Sequence, residues 1–226
     1  MENLRIAFIQ ADLIWENSEA NLLQFNKQLE KINQADIIVL PEMFNTGFTQ
    51  NVDKMAQTDN GPVISWMKAI ALKKNVALIG SLIVTENGKY FNRLVMVSPN
   101  ADMQYYDKRH LFRMGGENEN FSAGSQIKVF DYAGWRIRPL ICYDLRFPVW
   151  SHNQNSYDLL IYVANWPKVR REVWKTLLKA RAIENQCYVV GVNRTGIDGM
   201  NIEYAGESMV IDAKGKTVMA GAVDIH

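Results

Sequence analysis

Glu42, Lys108 and Cys142 each close an apolar run: "IIVLPE" ends at the carboxylate, "MQYYDK" at the ammonium and "WRIRPLIC" at the thiol. A carboxylate, an ammonium and a thiol are the groups that nucleophilic acyl transfer by sulfur requires. A free cysteine has a pKa of about 8.5, so at neutral pH it attacks slowly unless a base or a cation lies beside it. Histidine is the usual partner, yet none of His110, His152 and His226 closes such a run. A carboxylate base and a lysine can take its place. Taken singly, each residue also has an ordinary explanation. A cysteine after an apolar strand packs in a core, a glutamate caps a turn, and a lysine solvates a strand end. Cys187, which opens "CYVVGVN" with no charged neighbour on its run, reads as structural.

The elements that must position these groups follow from hydrophobic periodicity. Residues 4–10 read as a strand. Leu22, Phe25, Leu29 and Ile32 recur at helical steps behind a cap at Asn17 or Ser18, and "DIIVLPE" reads as a strand covered on both faces. Together they make a βαβ unit. Pro62 opens a helix to about Lys74 with Val63, Trp66, Met67 and Ile70 inward. "VALIGSLIV" and "YFNRLVMVS" flank Asn87-Gly88, a type I′ hairpin signal. A strand then ends at Lys108, and the Gly-rich stretch from Gly115 to Gly124 reads as a loop. Strands are expected at 127–132, 135–141 and 157–164. A helix over 169–186 carries Val173, Leu177, Ala180 and Glu184 on one face, and "CYVVGVN", "SMVIDAKG" and "TVMAGAVD" complete the chain as strands. The alternation, without linker or repeat, describes a single α/β layer domain over 1–226 with antiparallel hairpins. In such sheets ligands sit outside the carboxyl ends of strands, where Glu42, Lys108 and Cys142 are expected.

Composition excludes several classes of function. Lys and Arg number 25 against 24 Asp and Glu, a net charge of +1, so no global field recruits nucleic acid or anionic membrane. A small neutral or singly anionic ligand fits better. No stretch of about 18 apolar residues spans a membrane, and the first residues lack the pattern of a signal peptide. Two distant cysteines do not make a disulfide framework, which points to a reducing cytoplasm. The histidines share no metal-ligand spacing with the cysteines, so no metal and no organic cofactor are expected.

"LPEMFNTGF" around Glu42, "YYDKRHLF" around Lys108 and "LICYDLRFPVW" around Cys142 resemble, in this order, the three catalytic signatures of the nitrilase superfamily. "LLIYVANWP" and "KARAIENQCYVVGVNRTG" extend the resemblance over nearly the whole chain. It implies an αββα sandwich with Glu42 as base, Lys108 facing the developing oxyanion and Cys142 as nucleophile. The family carries a second glutamate ahead of the cysteine, which falls on Glu117, with Glu119 the nearby alternative. "RMGGENENFSAG" and "CYDLRFPVWS" are most similar to omega-amidases, which act on the terminal amide of 2-oxo acids such as 2-oxoglutaramate. A carbamoylase, a peptide-amide hydrolase and a catalytically silent binding module are the rival readings.

On this scheme the Tyr143 N–H supplies a second oxyanion donor. Arg113, Arg170 or Arg194 clamps a substrate carboxylate, and Trp166 and Phe48 wall the pocket. The helix "REVWKTLLKARAIENQ" suits a subunit interface, so at least a homodimer is expected. Relatives continue past the strand matching "TVMAGAVD" into a further strand and a tail, which this sequence, ending at His226, is expected to lack.

Overall fold

The computed structural model describes residues 3–220. β1 (Ile6–Phe8), α1 (Ser18–Glu30) and β2 (Ile37–Val39) form the expected βαβ unit, its strands parallel. The Asn17 side chain caps α1 by accepting the Ala20 N–H at 3.0 Å. After the single turn α2 (Val52–Met55) comes α3 (Pro62–Lys74), opened by its proline. β3 (Ala77–Glu86) and β4 (Lys89–Val97) turn through Asn87 and Gly88, both at positive φ, as the I′ reading requires. β5 (Met103–Asp107) completes a sheet in the order β1-β2-β3-β4-β5.

α4 (Glu117–Asn120), β6 (Phe130–Tyr132), β7 (Trp135–Ile141), α5 (Pro148–Ser151), β8 (Leu159–Ala164), α6 (Arg171–Asn185) and β9 (Tyr188–Asn193) follow. The short pair β10 (Thr195–Ile197) and β11 (Glu203–Ala205) precedes β12 (Met209–Ile211) and β13 (Thr217–Ala220). The second sheet runs β13-β12-β9-β8-β7-β6, with β7, β8 and β9 parallel.

Period-two alternation builds the layers. Ile37, Val39, Ala77, Ile79, Leu94 and Met96 join the core shared with the second sheet. Ile38, Leu40, Leu78, Val95 and Val97 turn the other way, onto Phe25 and Leu29 of α1 and Val63, Ile64 and Met67 of α3. On the far side, Trp174, Leu178 and Ala182 of α6 pack on the second sheet. This is the expected αββα sandwich.

Three expectations need correction. The buried stripe of α6 is Trp174, Leu178, Arg181, Ala182 and Asn185, one position round from Val173, Leu177 and Ala180, and Glu184 is exposed. Arg181 can be buried because its Nη2 donates to the Leu145 carbonyl at 2.7 Å. The stretch 115–124 is not all loop, since α4 lies within it and buries Glu117. The run "SMVIDAKG" forms a strand only over β12, with a turn after it. The last part of "TVMAGAVD", beyond β13, lies outside the described residues.

Candidate active site

The carboxyl ends of β2, β5, β7 and β8 meet at one edge of the sandwich, and each delivers one polar group. Past β2, Pro41 carries the chain away from the strand, Glu42 turns inward, and Met43 takes a left-handed φ of 44°. Lys108 directly follows β5, its N–H donating to the Asn92 carbonyl of β4 at 3.0 Å. Cys142 directly follows β7 at φ 43° and opens a 3-10 turn through Arg146. That left-handed geometry is costly for a side chain and recurs where a nucleophile is held at a strand-to-helix turn.

Lys108 Nζ lies 2.8 Å from Glu42 Oε1 and 3.0 Å from Glu117 Oε1, with all three side chains fully buried. Glu117 is thereby placed in the cluster, while Glu119 stays exposed. The remaining carboxylate oxygens are also served. The Asn165 N–H donates to Glu42 Oε2 at 2.8 Å, and the Phe112 N–H donates to Glu117 Oε2 at 2.6 Å. Asn92 donates to both carboxylates, at 2.8 Å and 3.1 Å. The Cys142 sulfur stands 3.9 Å from the Asn165 carbonyl, in the electrostatic field of Glu42.

Burial pushes the Cys142 thiol well above its ordinary range, and the Glu42 and Glu117 charges outweigh Lys108 in the same direction. The resting sulfur is therefore a thiol. Burial also raises Glu117, against the pull of Lys108. For Lys108 burial works downward, but Glu117 and Glu42 overcome it and hold the ammonium above its ordinary value.

Cys142 and Lys108 form the floor of a cleft of about 760 Å³ whose walls include Phe48, Tyr143, Trp166 and Tyr204. The two glutamates sit behind that floor. Tyr143 is the second residue of the 3-10 turn, where an N–H has no acceptor within the turn. Of the three arginines expected at the cleft, only Arg170 lines it. Arg113 is exposed and outside the lining. Arg194 is fully buried outside the lining, donating through Nε and Nη2 to Asp12 and to the Leu13 and Thr195 carbonyls under the Tyr204 ring, so it braces the wall from behind and does not reach a ligand in the cleft.

Arg146, which the sequence reading passed over, does line the cleft, its guanidinium 5.5 Å from the Trp166 ring centre. Arg170 lies likewise against Phe112 at 5.3 Å, and neither guanidinium has an acidic partner among the described residues. Asn92 and Asn165 were also missed: Asn92 lies inside β4, where one polar residue leaves no periodic signal, and Asn165, just past β8, is uncharged and reads as an ordinary turn residue. His110 is outside the cleft, stacked on Phe147 with Nδ1 2.7 Å from Asp144. Cys187 is buried away from it, and burial pushes its thiol up to about 12.

Among the described residues no cluster of His, Cys, Asp and Glu has the arrangement of a metal site, and no helix is long and apolar enough to cross a membrane. Residues 5–223 match the family model described as carbon-nitrogen hydrolase. The chain is 47% identical to omega-amidase YafV of Escherichia coli over 100% of its own length and 87% of that protein. It is 36% identical to the 2-oxoglutaramate amidase of Bacillus subtilis, over 96% of this chain and 85% of that one. A CN-hydrolase superfamily protein from Xanthomonas campestris, solved with an arsenic adduct in its active site, superposes with a TM-score of 0.95 at 41% identity, covering 98% of this chain and 87% of its own. A match of that extent, at these identities and on this shared fold, leaves one assignment: the chain belongs to the carbon-nitrogen hydrolase family and is a hydrolase of amide carbon–nitrogen bonds.

Proposed function

We propose that the protein is an omega-amidase, cleaving the terminal amide of a small 2-oxo dicarboxylic acid monoamide such as 2-oxoglutaramate and releasing ammonia. The observation that carries the chemistry is the meeting of thiol, ammonium and carboxylates at one cleft floor, with Cys142 and Lys108 facing the cavity. Support for the substrate class comes from the omega-amidase and 2-oxoglutaramate amidase relatives and from the two unpaired guanidiniums at the cleft.

Glu42 Oε1 accepts from Asn92 and Lys108, both at 2.8 Å, whereas Oε2 has one short donor, the Asn165 N–H at 2.8 Å, so the thiol proton goes to Oε2 as sulfur attacks the amide carbon. An ammonium has three protons. Two of them serve Glu42 and Glu117, and the third, with the Tyr143 N–H, meets the oxygen on which charge develops. Protonated Glu42 then gives its proton to the leaving nitrogen, ammonia departs, and a thioester remains on Cys142. Glu42 next deprotonates a water that attacks the thioester carbon, and the returning proton restores the thiol. Glu117 neutralises and orients Lys108. The scheme draws on side chains and one backbone N–H, without metal or organic cofactor. Arg170 and Arg146 hold the substrate carboxylate against the Phe112 and Trp166 rings.

The reading includes a cytoplasmic enzyme acting as a homodimer. The two free cysteines suit a reducing compartment, and the outer face of α6, with Ile183 55% exposed, offers apolar area to a second copy. The test is a substrate panel of 2-oxo amides and N-carbamoyl amino acids, with ammonia release measured and single-turnover mass spectrometry on the Cys142 peptide. Ammonia from 2-oxoglutaramate with an acyl adduct on Cys142, both lost in Cys142→Ala, is the expected result. Carbamoyl substrates alone turning over, or turnover surviving in Cys142→Ala, would overturn the proposal.

A further inference from the structure

Asn92, at the fourth position of β4, is fully buried, and every polar atom of its side chain is engaged. One NH₂ group donates to Glu42 Oε1 at 2.8 Å and to Glu117 Oε1 at 3.1 Å. Its Oδ1 accepts the Ser81 hydroxyl at 2.9 Å. Ser81 in turn accepts the Met43 N–H at 2.9 Å, which commits the hydroxyl proton to the Asn92 side. A backbone N–H can only donate, so direction is imposed along the whole path from Met43 through Ser81 to Asn92. The amide cannot flip without setting its oxygen against two carboxylates.

The charge balance gives this orientation a purpose. Two buried carboxylates share one ammonium, so among the described residues one negative charge has no counter-ion there, and like charges so close drive one carboxyl to take a proton. A proton on Glu42 would remove the base. We infer that Asn92, oriented by Ser81 and the Met43 N–H, is a positioning residue that keeps Glu42 and Glu117 ionised together, and so keeps Glu42 available as the base toward Cys142. The inference rests on the proposed roles of Glu42 and Cys142, and it adds β4 to the strands the chemistry depends on.

The charged and titratable groups facing Asn92 are Glu42 beyond β2, Lys108 beyond β5 and Glu117 on α4, with Cys142 beyond β7 on the far side of Glu42. Its neighbour Arg93 points to the opposite face, where Asp59, Glu86 and Asp107 surround it. That second cluster leaves the Asn92 side of the strand untouched.

The test is Asn92→Asp, which is nearly isosteric but turns the donor into a third carboxyl. Two pH profiles are recorded for wild type and variant: kcat/KM for 2-oxoglutaramate, and the rate at which iodoacetamide alkylates Cys142. The second needs no substrate assignment, so it separates failure of this inference from failure of the omega-amidase reading. In the variant the acid limb of both profiles is expected to move to higher pH by one unit or more. At neutral pH kcat should fall by about tenfold for each unit that the limb moves past pH 7, with KM little changed. Ser81→Ala, which frees the amide to flip, should give a smaller shift of the same sign, and it carries the test alone if Asn92→Asp does not fold. Acid limbs that superimpose on wild type would overturn the inference. So would a uniform loss of rate with the limb unmoved, the mark of a merely structural residue.

Discussion

Cys142 and Cys187 are both buried, both carry raised thiols, and differ in what surrounds them. Burial is the main cause at both, but Cys142 has Glu42, Lys108 and Glu117 around it, while at Cys187 only the charges of Asp158 and Glu184 add to burial. The difference is testable through stability. An acid whose folded value lies above its unfolded one keeps its proton longer in the native state, so the native protein binds more protons across that interval. Stability then falls as pH rises, starting at the ordinary thiol value of about 8.5 and ending at about 12 for Cys187. Each such thiol contributes a slope of at most about 1.4 kcal/mol per pH unit. Cys187→Ser should therefore lose stability less steeply than wild type between pH 9 and 10.5, while keeping activity at neutral pH. Urea unfolding at a series of pH values measures the slope. Equal slopes in the two proteins would mean that the Cys187 thiol ionises as easily folded as unfolded.

At the scale of elements, the reacting groups are held in register by a carboxylate that takes no part in the proposed reaction. Asp144, fully buried in the turn after β7, accepts the Ile141 N–H at 3.1 Å and the Tyr106 hydroxyl at 2.8 Å on one oxygen. On the other it accepts the His110 N–H at 2.9 Å and lies 2.7 Å from His110 Nδ1. It thus ties the turn bearing Cys142 to the strand end bearing Lys108, one sheet to the other. Asp144→Asn sets an amide NH₂ against donors on one side, and hydrogen bonds to a charged group are worth about 1.5–3 kcal/mol each. The variant should unfold at lower urea by roughly 2–4 kcal/mol. Its kcat should fall more than its KM rises, because what loosens is the distance between sulfur and ammonium.

Much at this scale was legible in the sequence. β7 occupies the residues read for it, because Gly134 and the apolar run bound it on both sides. The hairpin at Asn87-Gly88 followed from turn chemistry. Three of the strand-end groups stood out because a charged or reactive residue closing an apolar run is visible in one dimension. α6 was misread by one position because Val173, Leu177 and Ala180 lie beside the true stripe, and Arg181 and Asn185 are buried by hydrogen bonds that hydrophobicity does not register. Arg194 looked like a clamp for a related reason. Its partner Asp12 is 182 residues away, and nothing local signals that pairing.

Across the whole molecule, the cleft wall is coupled to the outer helix layer through two indoles in tilted contact. Trp166 of the wall lies 5.5 Å, centroid to centroid, from Trp174 of α6, and Trp174 donates through Nε1 to the Glu207 carbonyl at 3.0 Å. α6 approaches the second sheet closely at Gly191 of β9. A methyl group there would lie 2.4 Å from Leu178 Cδ1 and 2.9 Å from the Trp174 ring. Gly191 has an ordinary strand conformation, so Gly191→Ala adds no backbone strain and acts through space alone. Overpacking of this kind costs about 1–3 kcal/mol, and the helix must lift or Trp174 must turn. Either movement presses on Trp166 and changes the wall against which Arg146 is seated. Glu42, Lys108 and Cys142 are carried by the ends of β2, β5 and β7, away from this contact, and α6 meets the Cys142 turn one helical turn further on, where Arg181 holds the Leu145 carbonyl. Gly191→Ala should therefore lower the urea midpoint and raise KM for a carboxylate-bearing amide several-fold, while kcat stays near wild type. A fall in kcat with KM unchanged would show that the helix layer reaches the reacting groups by another route.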